Sequence, residues 1–168
     1  MTLTTHAIIG AAAASLFPQE PVVAFVAGFT SHLAADAIPH WDYELASMRE
    51  DVSHPLETDM VIDKDFFDDF VQIASDAFIG LALSVLIFNA WLFHIPLLIV
   101  GIGVVAGILP DPLQFVYFKT HAKILEPLQS FHMWIQRKSP LPVPSWVGLG
   151  LQCALIVFIV GLLKLFFY

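Results

Sequence analysis

Apolar and polar residues follow one another along this chain in long blocks. Crossing the hydrocarbon of a bilayer takes about 17–25 apolar residues in a helix, and five blocks approach that length. They are 3–17, 22–38, 76–92, 95–117 and 145–167. The pattern predicts an all-α fold, a polytopic membrane helical bundle of about five membrane segments that forms one integral membrane domain over residues 1–168. Because the first block is short, we expect it to be tilted, re-entrant or covered by neighbouring helices.

Two polar stretches, 41–75 and 118–144, separate the apolar blocks. Counting the crossings places both stretches on the same membrane face. Within them, apolar residues at helical spacing predict two short interfacial helices, at 65–75 and 126–137. All the lysines and arginines except Lys164 lie in these stretches. The positive-inside rule therefore predicts an inner or plasma membrane protein with cytoplasmic polar loops.

Composition and charge narrow the class of protein further. Hydrophobic residues make up 58% of the chain and charged residues 13%, whereas soluble domains average about 45–50% and about 25%. The composition thus argues against a water-soluble globule. A net charge of -8 argues against a nucleic-acid partner, which favours a basic face. Cys153 is the only cysteine, so neither an intrachain disulfide nor a thiolate zinc site can form.

Residues that can bind metals recur near one end of the apolar blocks. His32, Asp36 and His40 are spaced four residues apart, which places all three on one stripe of a helix. Imidazole and carboxylate groups within an apolar block are costly unless they have partners. By the count of crossings, further candidates lie toward the same face: His6, Asp76, Asp111 and His132. Zinc binds histidine nitrogen and carboxylate oxygen, so we predict a divalent metal site, with zinc favoured over manganese or magnesium.

Structural roles compete with this interpretation at each position. His32 and Asp36 can form hydrogen bonds between helices that serve packing alone. Asp111 can cap a helix, and Asp76 can cap its own helix or pair with a lysine. His132 can lie on an interfacial helix without binding a metal. The sequence leaves these alternatives open.

Three short motifs resemble those of a known group of proteins. They are Thr5-His6-x3-Gly10, His32-x3-Asp36 followed by Pro39-His40, and Leu109-Pro110-Asp111. The motifs resemble those of small membrane-bound metal-dependent hydrolases, a group similar to zinc-dependent phospholipase C and the fungal zinc single-strand nucleases. The resemblance covers residues 1–44 and 105–135, although the Pro-Asp motif comes first in that group. It implies a helical fold and a multinuclear zinc site with His6, His32, Asp36 and Asp111 as ligands and His40 as a further one.

Two functions of different classes follow from these residues. The first is a membrane-embedded hydrolase that cleaves a phosphoester, most plausibly of a lipid, through metal-activated water, with Asp36 and Asp111 as the catalytic carboxylates. Membrane lipids are then its partners. The second is a divalent metal-ion transporter, or a metal-stabilised scaffold without catalysis. Transporters commonly show internal repeats and binding sites at the midplane. The chain shows no such repeat, and its candidate ligands lie toward one face, which favours the enzyme.

Overall fold

The computed structural model describes residues 1–51, 53–136 and 141–167, and it is almost entirely helical. Seven α-helices were assigned over these residues: α1 Leu3–Ser15, α2 Pro21–Asp36, α3 Lys64–Ser84, α4 Leu97–Ile108, α5 Pro110–Thr120, α6 Glu126–Gln136 and α7 Ser145–Phe167. Two short strands, β1 Met48–Arg49 and β2 Asp59–Met60, pair antiparallel in the first polar stretch, with a 3-10 turn at Pro55–Glu57 between them. The prediction of an all-α fold is confirmed.

Fewer helices reach membrane length than the sequence predicts. In the described part of the chain, Lys64–Trp91 and Ser145–Phe167 are long and apolar enough to cross a membrane. The pair formed by α4 and α5 adds a third if it is counted as one span with a 42° bend. α1 and α2 have 13 and 16 residues, which is below the about 17 residues that a span requires. The structure thus has two or three such helices, against the five predicted.

The predicted interfacial helix at 65–75 and the predicted span at 76–92 form a single helical run. α3 continues without a break into a π-helical segment at Val85–Trp91, for 28 residues in all. At 1.5 Å per residue this run is about 42 Å long, whereas the hydrocarbon is about 30 Å thick. No proline interrupts it, so the interfacial stripe extends directly into the apolar segment. The prediction of two separate elements was wrong.

α1 lies at the centre of the bundle. Eleven of its 13 residues are buried, and α2, α3, α4 and α7 pack around it. A helix that is apolar on all sides has no solvent-facing stripe and is covered by its neighbours. The expectation that neighbouring helices cover the first segment is therefore confirmed.

Glycines bring α1 and α4 unusually close together. A Cβ atom at Gly107 would lie 2.6 Å from the carbonyl oxygen of His6, and one at Gly103 would lie 2.7 Å from that of Gly10. Such contacts require small residues on both helices. Gly101 differs, because a Cβ atom there would meet no atom within 4 Å. The close packing brings the end of α4 beside His6.

The break between α4 and α5 orients the start of α5. Pro110 is the first residue of α5, where its missing N–H costs nothing and its fixed φ favours a new helix. The axes of the two helices differ by 42°. As a result Asp111, in the first turn of α5, lies beside the end of α2.

The two polar stretches contact each other. Lys119 Nζ lies 2.6 Å from Asp59 Oδ1, and the amide of Leu141 donates to the carbonyl of His40 at 2.8 Å. In the second stretch, α6 forms where an interfacial helix was predicted at 126–137, and residue 137 lies outside the described residues. α6 buries His132 and exposes Phe131 and Trp134. α6 is therefore amphipathic, with His132 on its inner face.

Candidate metal centre

Four side chains converge where α2, α5 and α6 meet. His32 and Asp36 come from the last turns of α2, Asp111 from the first turn of α5 and His132 from the middle of α6. One ligand atom from each lies within 4.8 Å of the others. His32, Asp36 and His132 are completely buried, while the Asp111 side chain retains 30% of its exposure. This four-residue centre could hold a metal ion.

The distances within the four-residue centre lie within about 0.4 Å of those between the ligands of a tetrahedral ion. His32 Nε2 lies 3.3 Å from Asp36 Oδ2, 3.4 Å from Asp111 Oδ1 and 3.1 Å from His132 Nε2. His132 Nε2 lies 2.9 Å and 3.7 Å from the same two oxygens. Ligands about 2.0–2.2 Å from a tetrahedral zinc are about 3.3–3.6 Å apart. The donor set and its spacing therefore suit a metal ion.

A backbone carbonyl orients one of the two histidines. Nδ1 of His32 lies 2.7 Å from the carbonyl oxygen of Gly107. Since a carbonyl only accepts hydrogen bonds, Nδ1 carries the proton and donates it. Nε2 then faces the four-residue centre, where it can bind a metal ion through its lone pair once it carries no proton of its own.

His6 contacts the same carboxylate from the opposite side. Its Nε2 lies 3.0 Å from Asp36 Oδ1, and its ring stacks on that of His32 with centroids 3.8 Å apart. One oxygen of Asp36 thus faces His32 and His132, and the other faces His6. A carboxylate shared in this way can bridge two ions.

His40 lies at the edge of this arrangement. Its Nε2 is 3.8 Å from Asp36 Oδ1 and 2.8 Å from the α-amino nitrogen of Met1. Burial, reinforced by that amino group, lowers the pKa of His40. The imidazole is therefore neutral at physiological pH, the form that binds metals.

Asp76, another predicted ligand, contacts a different element. Its carboxylate accepts hydrogen bonds from the amides of Leu3 at 2.6 Å and Thr4 at 3.3 Å, and the hydroxyl of Tyr43 donates to it at 3.4 Å. The first amides of a helix have no hydrogen-bond partners within the helix. The Asp76 carboxylate on α3 accepts the hydrogen bonds of two such amides of α1. Among the described residues, no hydrogen bond or ion pair of Asp76 reaches the four-residue centre. The structure assigns it a capping role for α1, whereas the sequence suggested a cap of its own helix as the alternative.

Two groups beside the centre were missed by the sequence reasoning. Gln136 Nε2 lies 3.2 Å from His132 Nε2 and 3.5 Å from Asp36 Oδ2. Its position four residues after His132 repeats the spacing of His32 and Asp36 and could have identified it. The Gly107 carbonyl carries no sequence signal, because every residue has a carbonyl.

Two histidines outside the predicted set lie elsewhere in the fold. His94 lies in the turn before α4, and His121 ends α5; both have positive φ, 55° and 46° respectively.

Compared with known proteins, the chain matches no family model, no curated protein and no solved structure. Function must therefore be inferred from the geometry of the centre itself.

Proposed function

We propose that this protein is a membrane-embedded, metal-dependent hydrolase that cleaves a phosphoester of a membrane lipid. The observation that carries the proposal is the convergence of two imidazole nitrogens and two carboxylate oxygens from three helices within 4.8 Å. Three of the four side chains are fully buried, and Gly107 holds His32 in the metal-binding tautomer. Packing alone does not require such a set of donors.

Zinc is the favoured ion. Two histidines and two aspartates match its preference for nitrogen and oxygen ligands at tetrahedral spacing, and manganese is the alternative for a carboxylate-rich site. A bound divalent ion would lower the pKa of a water molecule and polarise a phosphoryl oxygen. Asp36 Oδ1, His6 and His40 offer ligands for a second ion, with Asp36 shared between the two.

The protein's own residues have distinct roles in this scheme. Asp36, with no exposed side-chain surface, fixes the spacing of the histidines from α1, α2 and α6. Asp111 is the most exposed member of the four-residue centre, at 30%. A substrate therefore approaches along the Asp111 side, where that carboxylate would orient the attacking water and the phosphoryl group.

The surroundings of the centre suit a lipid substrate. Phe131 and Trp134 are exposed on α6, within one turn of His132, and aromatic side chains of this kind favour the headgroup region of a bilayer. The exposed side chain of Lys123 lies in the loop after α5, where its charge attracts anionic headgroups. A lipid phosphoester would thus be presented at the depth of the centre.

The polar loops face the cytoplasm in this proposal, because they contain nearly all of the basic residues. A chain with Cys153→Ser and a new cysteine in place of His54 or His94 tests the orientation. We expect an impermeant maleimide to label position 54 only from the cytoplasmic side and position 94 only from the other side. Labelling of both from one side would contradict the count of crossings.

Hydrolysis can be tested with the purified protein in lipid nanodiscs. We expect release of phosphate or of a phosphorylated headgroup from a panel of phospholipids, loss of this release after chelation, and its recovery with zinc or manganese. Asp111→Asn replaces a charged ligand with a neutral amide and should lower the rate by at least 10²-fold, on the order expected for loss of an electrostatic contact to the reacting group. Asp68→Asn, an exposed aspartate on α3, is the matched control and should keep the full rate.

A negative result would favour the other class of function. If the protein binds zinc and hydrolyses nothing in the panel, the hydrolase proposal fails. Uptake of radioactive zinc into proteoliposomes would then separate a transporter from a metal-stabilised scaffold.

A further inference from the structure

Two fully buried side chains of α6 carry polar atoms without partners. The amide oxygen and nitrogen of Gln129 and the Nδ1 atom of His132 have no hydrogen-bond partner among the residues that the structure describes. Both side chains have 0% exposure. Buried polar groups are almost always hydrogen-bonded, so three unpartnered atoms this close in sequence call for a physical explanation.

The two side chains are neighbours on the helix. Residues three apart share one face of an α-helix, with Cβ atoms about 5–6 Å apart, a separation that a glutamine side chain can bridge directly or through one water. The other edge of the His132 ring points into the four-residue centre, with Nε2 at 2.9 Å from Asp36 Oδ2. Nδ1, on the edge of the ring away from Asp36, is therefore the His132 atom that remains for a partner on the same helix face.

The two histidines of the four-residue centre differ in how they are supported. His32 donates Nδ1–H to the carbonyl of Gly107, which is the usual way in which a metal-binding histidine is oriented. His132 lacks such a partner, although it would bind the same ion.

We propose that Gln129 is the positioning residue of His132, with its side-chain amide bonded to Nδ1 in the metal-bound state. Without metal, Nε2–H of His132 donates to Asp36 Oδ2 at 2.9 Å, and among the described residues Nδ1 and the Gln129 amide have no partner. With metal bound, Nε2 would give its lone pair to the ion, Nδ1 would carry the proton, and the amide oxygen of Gln129 would accept it, directly or through one water. Gln129 offers that acceptor without placing a further charge beside the buried centre. This inference rests on the proposed metal binding at the four-residue centre.

Zinc affinity of the full chain in detergent micelles, measured by competition with a chromophoric chelator, tests the proposal. Gln129→Leu keeps the volume but removes the acceptor, and we expect a 10- to 100-fold loss of affinity, the range typical of a missing partner to a metal-binding histidine. Gln129→Glu keeps an acceptor for Nδ1–H and should bind zinc at least as tightly as the unaltered chain. If Gln129 only fills space, the order of zinc affinities reverses, because leucine is tolerated at this position and a buried carboxylate is not.

Gln152→Leu is the control. It removes an amide that is also buried but bonds to Thr2, Thr5 and Trp41, and it should leave zinc affinity unchanged.

Nitrogen-15 NMR of labelled histidines in the unaltered protein provides a measurement that does not depend on how the variants fold. Zinc should move the proton of His132 from Nε2 to Nδ1, where it forms a hydrogen bond. Two results would overturn the role of Gln129 but not the metal site: an unprotonated His132 Nδ1 in the zinc-loaded protein, or equal zinc affinity in Gln129→Leu and the unaltered chain. Absence of zinc binding to the unaltered chain would overturn the proposed function as well.

Discussion

Gly107 connects the packing of the bundle to the geometry of the metal centre, and Gly107→Ala perturbs both. The new methyl group would lie 2.6 Å from the carbonyl oxygen of His6 and 3.0 Å from the Cα atom of Gly10. Both neighbours are backbone atoms, which cannot turn aside. Carbon and carbonyl oxygen normally approach no closer than about 3.3 Å, so α1 and α4 must separate by about 0.7 Å.

The cost of this separation can be estimated from related substitutions. Overpacking a close contact destabilises by about 1–3 kcal/mol, and replacing glycine with alanine in a helix returns about 1 kcal/mol. We therefore expect Gly107→Ala to lower the free energy of unfolding by up to about 2 kcal/mol. If α4 takes up this shift by moving away from α2 as well, the 2.7 Å hydrogen bond from His32 to the Gly107 carbonyl lengthens to as much as about 3.4 Å, which weakens it, and zinc affinity should fall by up to about 10-fold.

Gly101→Ala is the matched control, because it makes the same chemical change on the same helix where the methyl group meets no atom within 4 Å. It should be neutral or stabilise by up to about 1 kcal/mol. Unfolding in detergent and chelator competition measure the two quantities. Equal stability and equal zinc affinity in the two variants would refute the link between this helix contact and the centre.

Three further outcomes test other parts of the structure. His32→Ala should lower the zinc content of the purified protein, measured by mass spectrometry, whereas His94→Ala should not. Equal zinc contents in the two variants would contradict the proposed metal site. Asp76→Ala should lose about 1–2 kcal/mol of stability through loss of the cap on α1 but keep its zinc, and loss of zinc would make Asp76 a ligand. Zinc occupancy should fall as the pH is lowered, because protons compete with zinc for the histidine nitrogens; zinc occupancy that does not depend on pH would exclude histidine ligands.

Local spacing predicted the parts of the centre that lie on one helix. His32 and Asp36 were placed on one stripe by their separation of four residues, and both belong to the four-residue centre. Asp111 and His132 were also among the candidates. Their convergence depends on the bend at Pro110 and on the docking of α6, which local periodicity does not encode. Asp76 was also a candidate by the count of crossings, and only the position of α1 shows that it serves as a cap.

The prediction of five membrane segments was based on the length and composition of each apolar block. α1 instead faces other helices on all sides, so its length is matched to the bundle and not to the bilayer. Conversely, the run from Lys64 to Trp91 is longer than the hydrocarbon of a bilayer is thick. Its charged beginning is held by the polar loop, because Asp69 accepts hydrogen bonds from the amide and hydroxyl of Ser47 at 2.8 Å and 2.6 Å.

During synthesis, α1 leaves the ribosome well before the helices that enclose it. Its cap comes from Asp76, and the Gln152 amide oxygen on α7 accepts hydrogen bonds from Thr2 and Thr5 at 3.0 Å and 2.8 Å. At 13 residues, α1 is also shorter than the spans that insert independently. We therefore expect α1 to remain in contact with the insertion machinery, or to be only weakly packed against the other helices, until α7 has entered the bilayer. Ribosome-bound chains that end before residue 145 should then show an N-terminal helix that is open to proteases and crosslinks to the translocon, and that becomes protected once the last helix is made.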